Sequence, residues 1–299
     1  MKLHPVAKFR DFNYIPHLQK LSIHDVDGMR LFNLVDGKRD FGNFIWAMRG
    51  FKALPDLKHG LALHSGDPRV ALYEIGKPEP LQTFPTELPF TDGAGIDFSP
   101  SGQHALLTDY YGKAHVLNFE SKAFKTISMP GKISYSYAKR FGYFINETVI
   151  LVTGEGAIAR IDLVSDNFIE KDIFPNEQHQ AVISQDRKTL LVYTSTKMIA
   201  LNAETLEPLS AVVNFEGQGK TLEEVVQVPG TNQLWARLKS TFSQEQSFAS
   251  EIEVPQFEFQ SPFTLVKDTT QITLSSDGSE AFVVHKGDDN RFYFEHWQR

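Results

Sequence analysis

The stretch FSPSGQHALLTDYYGKAHVLNF, residues 98–119, decides the fold. It reads as an apolar anchor, a tight turn, a strand, a second tight turn and another strand, with the polar Asn118 just before the final Phe119. If the rest of the chain repeats this order, one short stretch sets the architecture of all 299 residues.

The same order recurs seven times along the chain. The strand HALLTDY has six counterparts, each preceded by a turn that carries Pro, Gly, Asn, Asp or Lys. The counterparts are KLSIHDV (20–26), HGLALHS (59–65), TVILVTG (148–154), TLLVYTS (189–195), QLWARLK (233–239) and EAFVVHK (280–286). Each is followed by a third strand with a polar residue near its end, at Asn33, Glu74, Asn118, Asp162, Asn202, Glu253 and Glu295.

The spacing of these polar residues is typical of a β-propeller. They lie 40 to 51 residues apart, and the longest interval contains an expanded turn at residues 240–250. A period of about 40–45 residues with three or four short strands per repeat is the mark of propeller blades. We therefore predict an all-β fold, a single seven-bladed β-propeller of four-stranded antiparallel blades, as one domain over residues 1–299. The blades are expected to end near residues 46, 87, 130, 174, 215, 261 and 299.

The two chain ends are expected to meet in one sheet. The last repeat stops at Arg299 before a fourth strand, and the N-terminal segment HPVAKFRDF (residues 4–12) has no repeat of its own. We predict that residues 1–12 supply a closing strand that pairs with the final blade, which would protect an open edge and hold the termini. The best helical candidate is FGNFIWAMRGFKAL, residues 41–54.

Composition narrows the classes of partner. The net charge of −7 disfavours binding to a phosphate backbone, so nucleic acid is not expected as a partner. The chain has no cysteine, which excludes disulfides and thiolate metal sites. It has neither a signal-like N-terminus nor 18 consecutive apolar residues, so we expect a soluble, cytoplasmic protein without membrane contact.

No sequence motif indicates a catalytic residue or a cofactor-binding site. NFEGQGKT (214–221) ends like a phosphate-binding loop, but Asn214 stands where that loop needs Gly, and no helix is expected to follow. His59 and His64 lie five residues apart on one strand and so face opposite ways. The chain lacks a Gly-x-Ser-x-Gly elbow. We expect no cofactor and assign no metal ligand or catalytic residue, although a site composed from several blades is invisible to motif analysis.

Two stretches resemble known propeller repeats. FSPSG with its strand and GKAHVLNF resembles a WD40 repeat, and LLVYTSTKMIALNAETLEPL (190–209) is similar to the YVTN repeat of seven-bladed propellers. The Trp-Asp pair of a WD40 repeat is replaced here by pairs such as Leu117-Asn118 and Ile161-Asp162. The resemblance implies the fold and a habit of binding proteins.

Aromatic and basic residues cluster in the predicted connections at one rim. Tyr, Trp and Arg are enriched among interface anchors because they bury large areas while satisfying a polar end. The alternative is that some of these rings pack between blades. The candidate partner-binding residues are Phe44, Trp46, Arg49, Phe90, Tyr110, Tyr111, Tyr135, Tyr137, Arg140, Phe242 and Phe248.

Three functions remain open at this point. The leading hypothesis is a non-catalytic scaffold or adaptor whose rim loops bind a partner protein, since such loops are ordered before association. The second is an enzyme or small-ligand-binding protein, lactonase-like or sugar-directed, that uses the central channel. The third is an inhibitor or immunity-like protein that blocks its partner. A metal-lined channel mouth would favour the enzyme.

Overall fold

The structure is a computed structural model of the 299-residue chain. It describes residues 9–15, 18–25, 28–33, 39–46, 48–56, 58–64, 70–86, 95–108, 113–128, 141–154, 156–228, 233–241, 247–253, 258–259, 263–265, 269–275, 279–288 and 292–298.

Within these ranges the regular structure consists of 28 strands in seven sheets, which we number in chain order. Sheet 1 contains β1 (Phe9–Ile15), β2 (Lys20–Asp25), β3 (Gly28–Asn33) and β4 (Arg39–Trp46). Sheet 2 contains β5 (Met48–Ala53), β6 (His59–His64), β7 (Val70–Glu74) and β8 (Pro80–Phe84). Sheet 3 contains β9 (Gly95–Phe98), β10 (His104–Thr108), β11 (Lys113–Asn118) and β12 (Phe124–Ser128). Sheet 4 contains β13 (Gly142–Phe144), β14 (Val149–Thr153), β15 (Ala157–Asp162) and β16 (Phe168–Asp172).

The remaining strands form three further sheets. Sheet 5 contains β17 (Gln180–Ile183), β18 (Thr189–Tyr193), β19 (Lys197–Asn202) and β20 (Val213–Asn214). Sheet 6 contains β21 (Lys220–Gln227), β22 (Gln233–Ser240), β23 (Ser247–Glu253), β24 (Glu258–Phe259) and β25 (Phe263–Thr264). Sheet 7 contains β26 (Thr269–Leu274), β27 (Glu280–Lys286) and β28 (Phe292–Gln298).

Sheets 1 to 5 are four-stranded meanders in which each strand pairs with the next one along the chain. Sheet 6 departs from this order because β24 and β25 both pair with β23, and sheet 7 has three strands among the described residues. The all-β class and the four-stranded antiparallel sheets predicted from the sequence are confirmed. The helical candidate at residues 41–54 instead forms strand, with β4 ending at Trp46 and β5 beginning at Met48.

The predicted closing strand is wrong for the part of it that the structure describes. Residues 9–12 begin β1, which pairs with β2 through registers such as Phe12 with Ile23. Only four residues separate β1 from β2, so this local hairpin closes at a lower entropic cost than pairing with the far end of the chain. β1 contacts β26 of sheet 7 as a strand of a neighbouring sheet. Residues 1–8 lie outside the described residues.

The chain divides into two compact units. Unit 1 comprises residues 1–41, 182–202 and 207–299, and unit 2 comprises residues 42–181 and 203–206. In unit 2, one apolar cluster joins sheets 2 and 3 through Leu63 and Leu107, and another joins sheets 3 and 4 through Leu106 and Val152. In unit 1, comparable clusters join sheets 5 and 6 and sheets 6 and 7. The middle strand β14 is buried at all five residues, and its Ile150 and Val152 pack in the cluster shared with sheet 3.

The turn from the first to the second strand repeats in sheets 3, 5 and 7. In each, a serine hydroxyl accepts a hydrogen bond from the N–H five residues later: Ser99 from His104, Ser184 from Thr189 and Ser275 from Glu280. The serine N–H also donates to the carbonyl of that later residue. The serine therefore closes the end of the hairpin with two hydrogen bonds. This explains why polar turns with Ser, Pro, Gly or Asp recur at these places.

The turn from the third to the fourth strand repeats in sheets 3, 4 and 5. It starts at Asn118, Asp162 and Asn202, and the residue four positions later has a positive φ of 58° to 60° in every case, at Lys122, Asp166 and Leu206. The N–H of the starting residue donates to the carbonyl five positions on. The polar residues that marked the repeat in the sequence are thus the first residues of these turns.

Two carboxylates, the buried Asp97 and the partly buried Glu224, join the first strands of neighbouring sheets. In unit 2, Asp97 of β9 accepts hydrogen bonds from Lys52 Nζ of β5 at 2.9 Å and from the Phe144 N–H of β13 at 2.9 Å. In unit 1, Glu224 Oε2 of β21 accepts the Ile272 N–H of β26 at 3.1 Å and lies 3.3 Å from Arg237 Nε. Each carboxylate accepts a hydrogen bond from a main-chain N–H of the neighbouring sheet, at a position where that N–H has no acceptor on a strand of the sheet to which it belongs. The carboxylate therefore stabilises the contact between the two sheets.

Candidate protein-interaction surface

Four of the partner-binding residues predicted from the sequence lie within strands. Phe44 and Trp46 belong to β4, Arg49 to β5 and Phe248 to β23, where it pairs with Leu238. Arg49 occupies a β-bulge between Met48 and Gly50. The prediction that these four lie in connections is wrong because the strands extend further than the turn signals suggested. The structure describes their backbone and not their side chains.

The other seven predicted residues lie outside the described residues. They are Phe90, Tyr110, Tyr111, Tyr135, Tyr137, Arg140 and Phe242. The role of the predicted set as partner contacts therefore stays a prediction.

A different set of apolar side chains is exposed. In the part of the chain that the structure describes, the large exposed apolar residues all lie on a fourth strand or on the segment that leads into it. They are Leu81, Val164, Phe168, Ile169, Leu209 and Val212. Three of the six belong to the β15–β16 hairpin of unit 2, and we call Val164, Phe168 and Ile169 the hairpin surface.

The hairpin surface is strongly exposed for apolar side chains. Val164 is 77% exposed, Phe168 53% and Ile169 52%, and every residue from 164 to 169 is exposed. Single exposed apolar residues are ordinary, whereas several within one hairpin make that hairpin a candidate interaction site. Phe168 pairs with the buried Ile161 and Ile169 pairs with Arg160, so β15 holds in register the strand that carries these side chains. Because successive side chains of a strand alternate, Phe168 and Ile169 extend from opposite faces of β16, which is the edge strand of its sheet.

Hydrogen bonds hold the turn of this hairpin in one conformation. Asp162 Oδ1 accepts the N–H groups of Val164 and Ser165, each at 2.9 Å. These two N–H groups lower the pKa of Asp162, because they stabilise the charged carboxylate. From the neighbouring sheet, Lys125 Nζ donates to the Leu163 carbonyl and to Asp166 Oδ1, both at 2.6 Å. The turn is thus anchored from its own strand and from sheet 3.

The charge beside the hairpin surface is negative overall. The hairpin from residue 157 to residue 172 carries the carboxylates of Asp162, Asp166, Glu170 and Asp172 against the cations of Arg160 and Lys171. Arg160 forms an ion pair with Glu204, which lies in the turn after β19 and belongs to the same unit. Charges of both signs therefore lie beside the apolar side chains, with Arg160 opposite Ile169.

A polar cluster elsewhere in unit 2 does not form a catalytic triad. Ser101, His104 and Glu147 lie together, but the Ser101 hydroxyl donates to Glu147 Oε2 at 2.8 Å and the Ser101 N–H donates to Glu147 Oε1 at 2.7 Å. Burial raises the pKa of Glu147, the hydrogen bonds from Ser101 lower it, and the net direction is downward. A serine nucleophile needs its proton directed at a base such as imidazole, whereas this hydroxyl is bound to a carboxylate. The arrangement ties the turns of sheets 3 and 4.

Two features, a metal-binding cluster and a membrane-spanning helix, are absent from the ranges that the structure describes. No group of three or more His, Cys, Asp or Glu residues in them is placed to hold a metal ion. Likewise, no helix there has the length and apolar character to cross a bilayer. The phosphate-loop-like segment leads into β21, in which Lys220 and Thr221 are the first residues of a strand and not of a helix.

Comparison with known proteins identifies the fold of this chain. No protein-family profile matches the chain, and no curated protein sequence matches it significantly. Among solved structures 1523 chains match, so the fold is a common one that does not by itself select a function. With its meandering four-stranded sheets, the chain is a β-propeller.

One matching structure specifies the type of propeller. The crystal structure of the C-terminal WD40 domain of Sif2 superposes with a TM-score of 0.71, covering 98% of this chain and 83% of that one. Sequence identity is 11%, so the likeness concerns the fold alone. The chain has a WD40-like propeller fold, as the repeats in its sequence indicated.

The hairpin surface was not among the sites predicted from the sequence. In NFIEKDIF, residues 167–174, two adjacent apolar residues break the alternation that marks a half-buried strand, so the pattern does not separate exposed residues from buried ones. The available signal was Asp162 with Ser165, a turn-capping pair directly before the apolar run.

Proposed function

We propose that the chain is a non-catalytic scaffold that binds a partner protein through the hairpin surface. The observation that carries this proposal is the exposure of Val164, Phe168 and Ile169 on one hairpin. Burying the exposed halves of Phe168 and Ile169 in an interface would contribute about 2 kcal/mol, or roughly 30-fold in affinity.

The preordered turn supports this role. Binding costs free energy when a loop must be ordered on association, and here Asp162 and Lys125 already hold the turn. WD40-like propellers commonly serve as interaction scaffolds, which agrees with the proposal at the level of the fold.

The architecture we propose for this scaffold is a single domain of seven blades, with the seven sheets as the blades. Sheets 1 to 5 are complete four-stranded blades, and sheets 6 and 7 are counted as irregular ones. An experimental map of the whole chain would count the blades directly.

Capture from an extract of cells that express the chain tests the function. The immobilised protein is compared with the double variant Phe168→Thr and Ile169→Thr, since threonine keeps the preference for strand while removing apolar area. Leu81→Thr is the matched control, because Leu81 is 54% exposed on the fourth strand of sheet 2 in the same unit.

The expected result is at least one protein retained by the wild type and by Leu81→Thr and reduced about 10-fold or more by the double variant. Circular dichroism must show that all three fold alike. Equal retention of every captured protein by the double variant would refute the hairpin surface as the binding site. Trp46→Ala and Tyr137→Ala, run in the same capture, test the contacts predicted from the sequence.

A further inference from the structure

We propose that Lys125, which lies outside the hairpin surface, is the positioning residue that holds this surface in its binding conformation. Lys125 belongs to β12 of sheet 3, whereas the surface lies on the β15–β16 hairpin of sheet 4. This inference rests on the proposed function, because it states which residue controls binding at the same surface. The conformation of the turn can nevertheless be measured without a partner.

The place of Lys125 on β12 directs its side chain toward sheet 4. Lys125 pairs with Val116, which packs in the apolar cluster that sheets 3 and 4 share. Ile127, two residues later and so on the same face of the strand, is packed against that cluster. A lysine on this face lays its aliphatic stem along the neighbouring sheet and keeps its ammonium at the surface, in agreement with the 43% exposure of its side chain.

Lys125 holds two points of the turn between β15 and β16. Its Nζ donates to the Leu163 carbonyl and to Asp166 Oδ1, both at 2.6 Å. Val164, the most exposed residue of the hairpin surface, lies between these two points. Hydrogen bonds from a charged donor are shorter and stronger than neutral ones. One ammonium therefore fixes the main chain before Val164 and the side chain after it.

The residue with positive φ is anchored differently in the three related turns. In sheet 5 it is Leu206, which is fully buried, and in sheet 3 it is Lys122, which is exposed. In sheet 4 it is Asp166, whose side chain is 68% exposed and is bound by Lys125. The turn of the hairpin surface is thus anchored by a side chain from another sheet, where the sheet 5 turn is anchored by burial of its own residue.

The bonds from Asp162 cover a different part of the turn. Asp162 Oδ1 accepts the N–H groups of Val164 and Ser165, and these precede Asp166 in the chain. Without the ammonium of Lys125, the Asp166 carboxylate would be hydrated by water, and the chain between Ser165 and β16 would gain freedom. A partner would then have to order this part of the turn on association, which lowers its affinity.

Amide hydrogen exchange of the full chain tests the control of the turn. Lys125→Met removes the charged donor and keeps a stem of similar length. We expect the amides of Leu163, Val164 and Ser165 to exchange about 3- to 10-fold faster in this variant, as for the loss of exposed charged hydrogen bonds. Lys125→Arg, which retains a charged donor, should stay within about 2-fold of the wild type. Lys122→Met, which removes an exposed lysine from the preceding turn, is the matched control.

Capture from the cell extract tests the effect on binding. The proteins to be followed are those that the wild type retains and the Phe168→Thr and Ile169→Thr double variant loses. We expect Lys125→Met to retain about 3- to 10-fold less of them, because the turn must be ordered on binding. Lys125→Arg and Lys122→Met should retain them as the wild type does. Rescue by arginine separates positioning by a charged donor from a general effect of substitution.

Three other results would overturn the inference, and each is distinct. Unchanged exchange in Lys125→Met would show that the turn is held without this lysine. Faster exchange throughout the chain, including the sheet 5 turn at residues 202–207, would show a general loss of stability in place of positioning. Faster exchange in the sheet 4 turn with unchanged capture would retain the proposed function and remove Lys125 from it. If the double variant loses no captured protein, the proposed function itself fails, and the control of binding by Lys125 fails with it.

Discussion

At the scale of single residues, the turns into the fourth strands show one backbone requirement met by three different side chains. Lys122, Asp166 and Leu206 all have φ near 60°, a region that costs an L-residue about 1 kcal/mol. Lys122 is exposed, and Asp166 binds Lys125, but Leu206 is fully buried. The conformation is therefore imposed by the turn, and each side chain has its own surroundings.

This difference predicts opposite effects of glycine. Lys122→Gly should stabilise the protein by about 0.5–1 kcal/mol, because glycine adopts a positive φ without steric cost and little packing is lost. Leu206→Gly should destabilise it by about 2–4 kcal/mol, because the lost burial exceeds the relief of backbone strain. Urea unfolding of both variants measures the two signs, and a stabilising Leu206→Gly would contradict the argument.

At the scale of elements, side-chain carboxylates form hydrogen bonds between separate sheets, where the strands are not paired through their backbones. Strands of one sheet satisfy each other's N–H and C=O groups, but the first strands of neighbouring sheets are not paired. Asp97 receives the Phe144 N–H from sheet 4 and Lys52 from sheet 2, and so connects three sheets of unit 2. Asp97 and Phe144 are buried, while Lys52 is 43% exposed at its side chain.

The burial of these partners predicts how much each of three variants lowers the free energy of unfolding. Asp97→Ala should lower the free energy of unfolding by about 2–4 kcal/mol, because it leaves the buried Phe144 N–H without an acceptor. Asp97→Asn should cost less, since its amide oxygen can still accept that bond. Lys52→Met should cost under about 1 kcal/mol, as expected of an exposed partner. If Lys52→Met cost as much as Asp97→Ala, the ion pair would be the main contribution and the N–H acceptor a minor one.

At the scale of the whole molecule, stability should depend on pH through one histidine. His179 lies in the segment between β16 and β17 and is 5% exposed. Burial lowers its pKa from 6.5 to about 4, and the Glu177 carbonyl opposes this only in part. The unfolded chain binds the proton of His179 near pH 6.5, and the folded chain binds it only near pH 4. The contribution of the neutral, buried His179 to stability is therefore fully present above about pH 6.5. It is lost progressively as the pH falls from about 6.5 to about 4.

The shift predicts that acidification from pH 7 to pH 5 lowers the free energy of unfolding by about 2 kcal/mol through His179. His179→Gln, which has no proton to gain, should lose correspondingly less over the same interval. Urea unfolding at both pH values measures the difference between the two proteins. The lowered pKa values of Asp56 and Asp186 act in a more acidic range and do not disturb the comparison. Identical pH dependence in the wild type and the variant would exclude His179 as the cause.

The strands and turns were predictable from the sequence because their causes are local. Runs such as Thr189–Tyr193 are apolar and β-prone, and the turns before them need particular residues. Asn118, Asp162 and Asn202 recur because each begins the same turn, so the period was visible without coordinates. The pairing of β1 escaped this reasoning, because the residues at its start carry no signal that selects one neighbouring strand over another.

What the sequence by itself determined is the all-β class, the recurring antiparallel sheets and the propeller fold, since period, turn chemistry and apolar runs act between residues close in the chain. Tertiary structure alone decided that Asp97 bonds to groups from two other sheets, that His179 is buried, and that Phe168 and Ile169 are exposed. These properties depend on packing between residues tens of positions apart, and hydrophobicity says only that a side chain prefers burial, not whether a neighbouring sheet covers it.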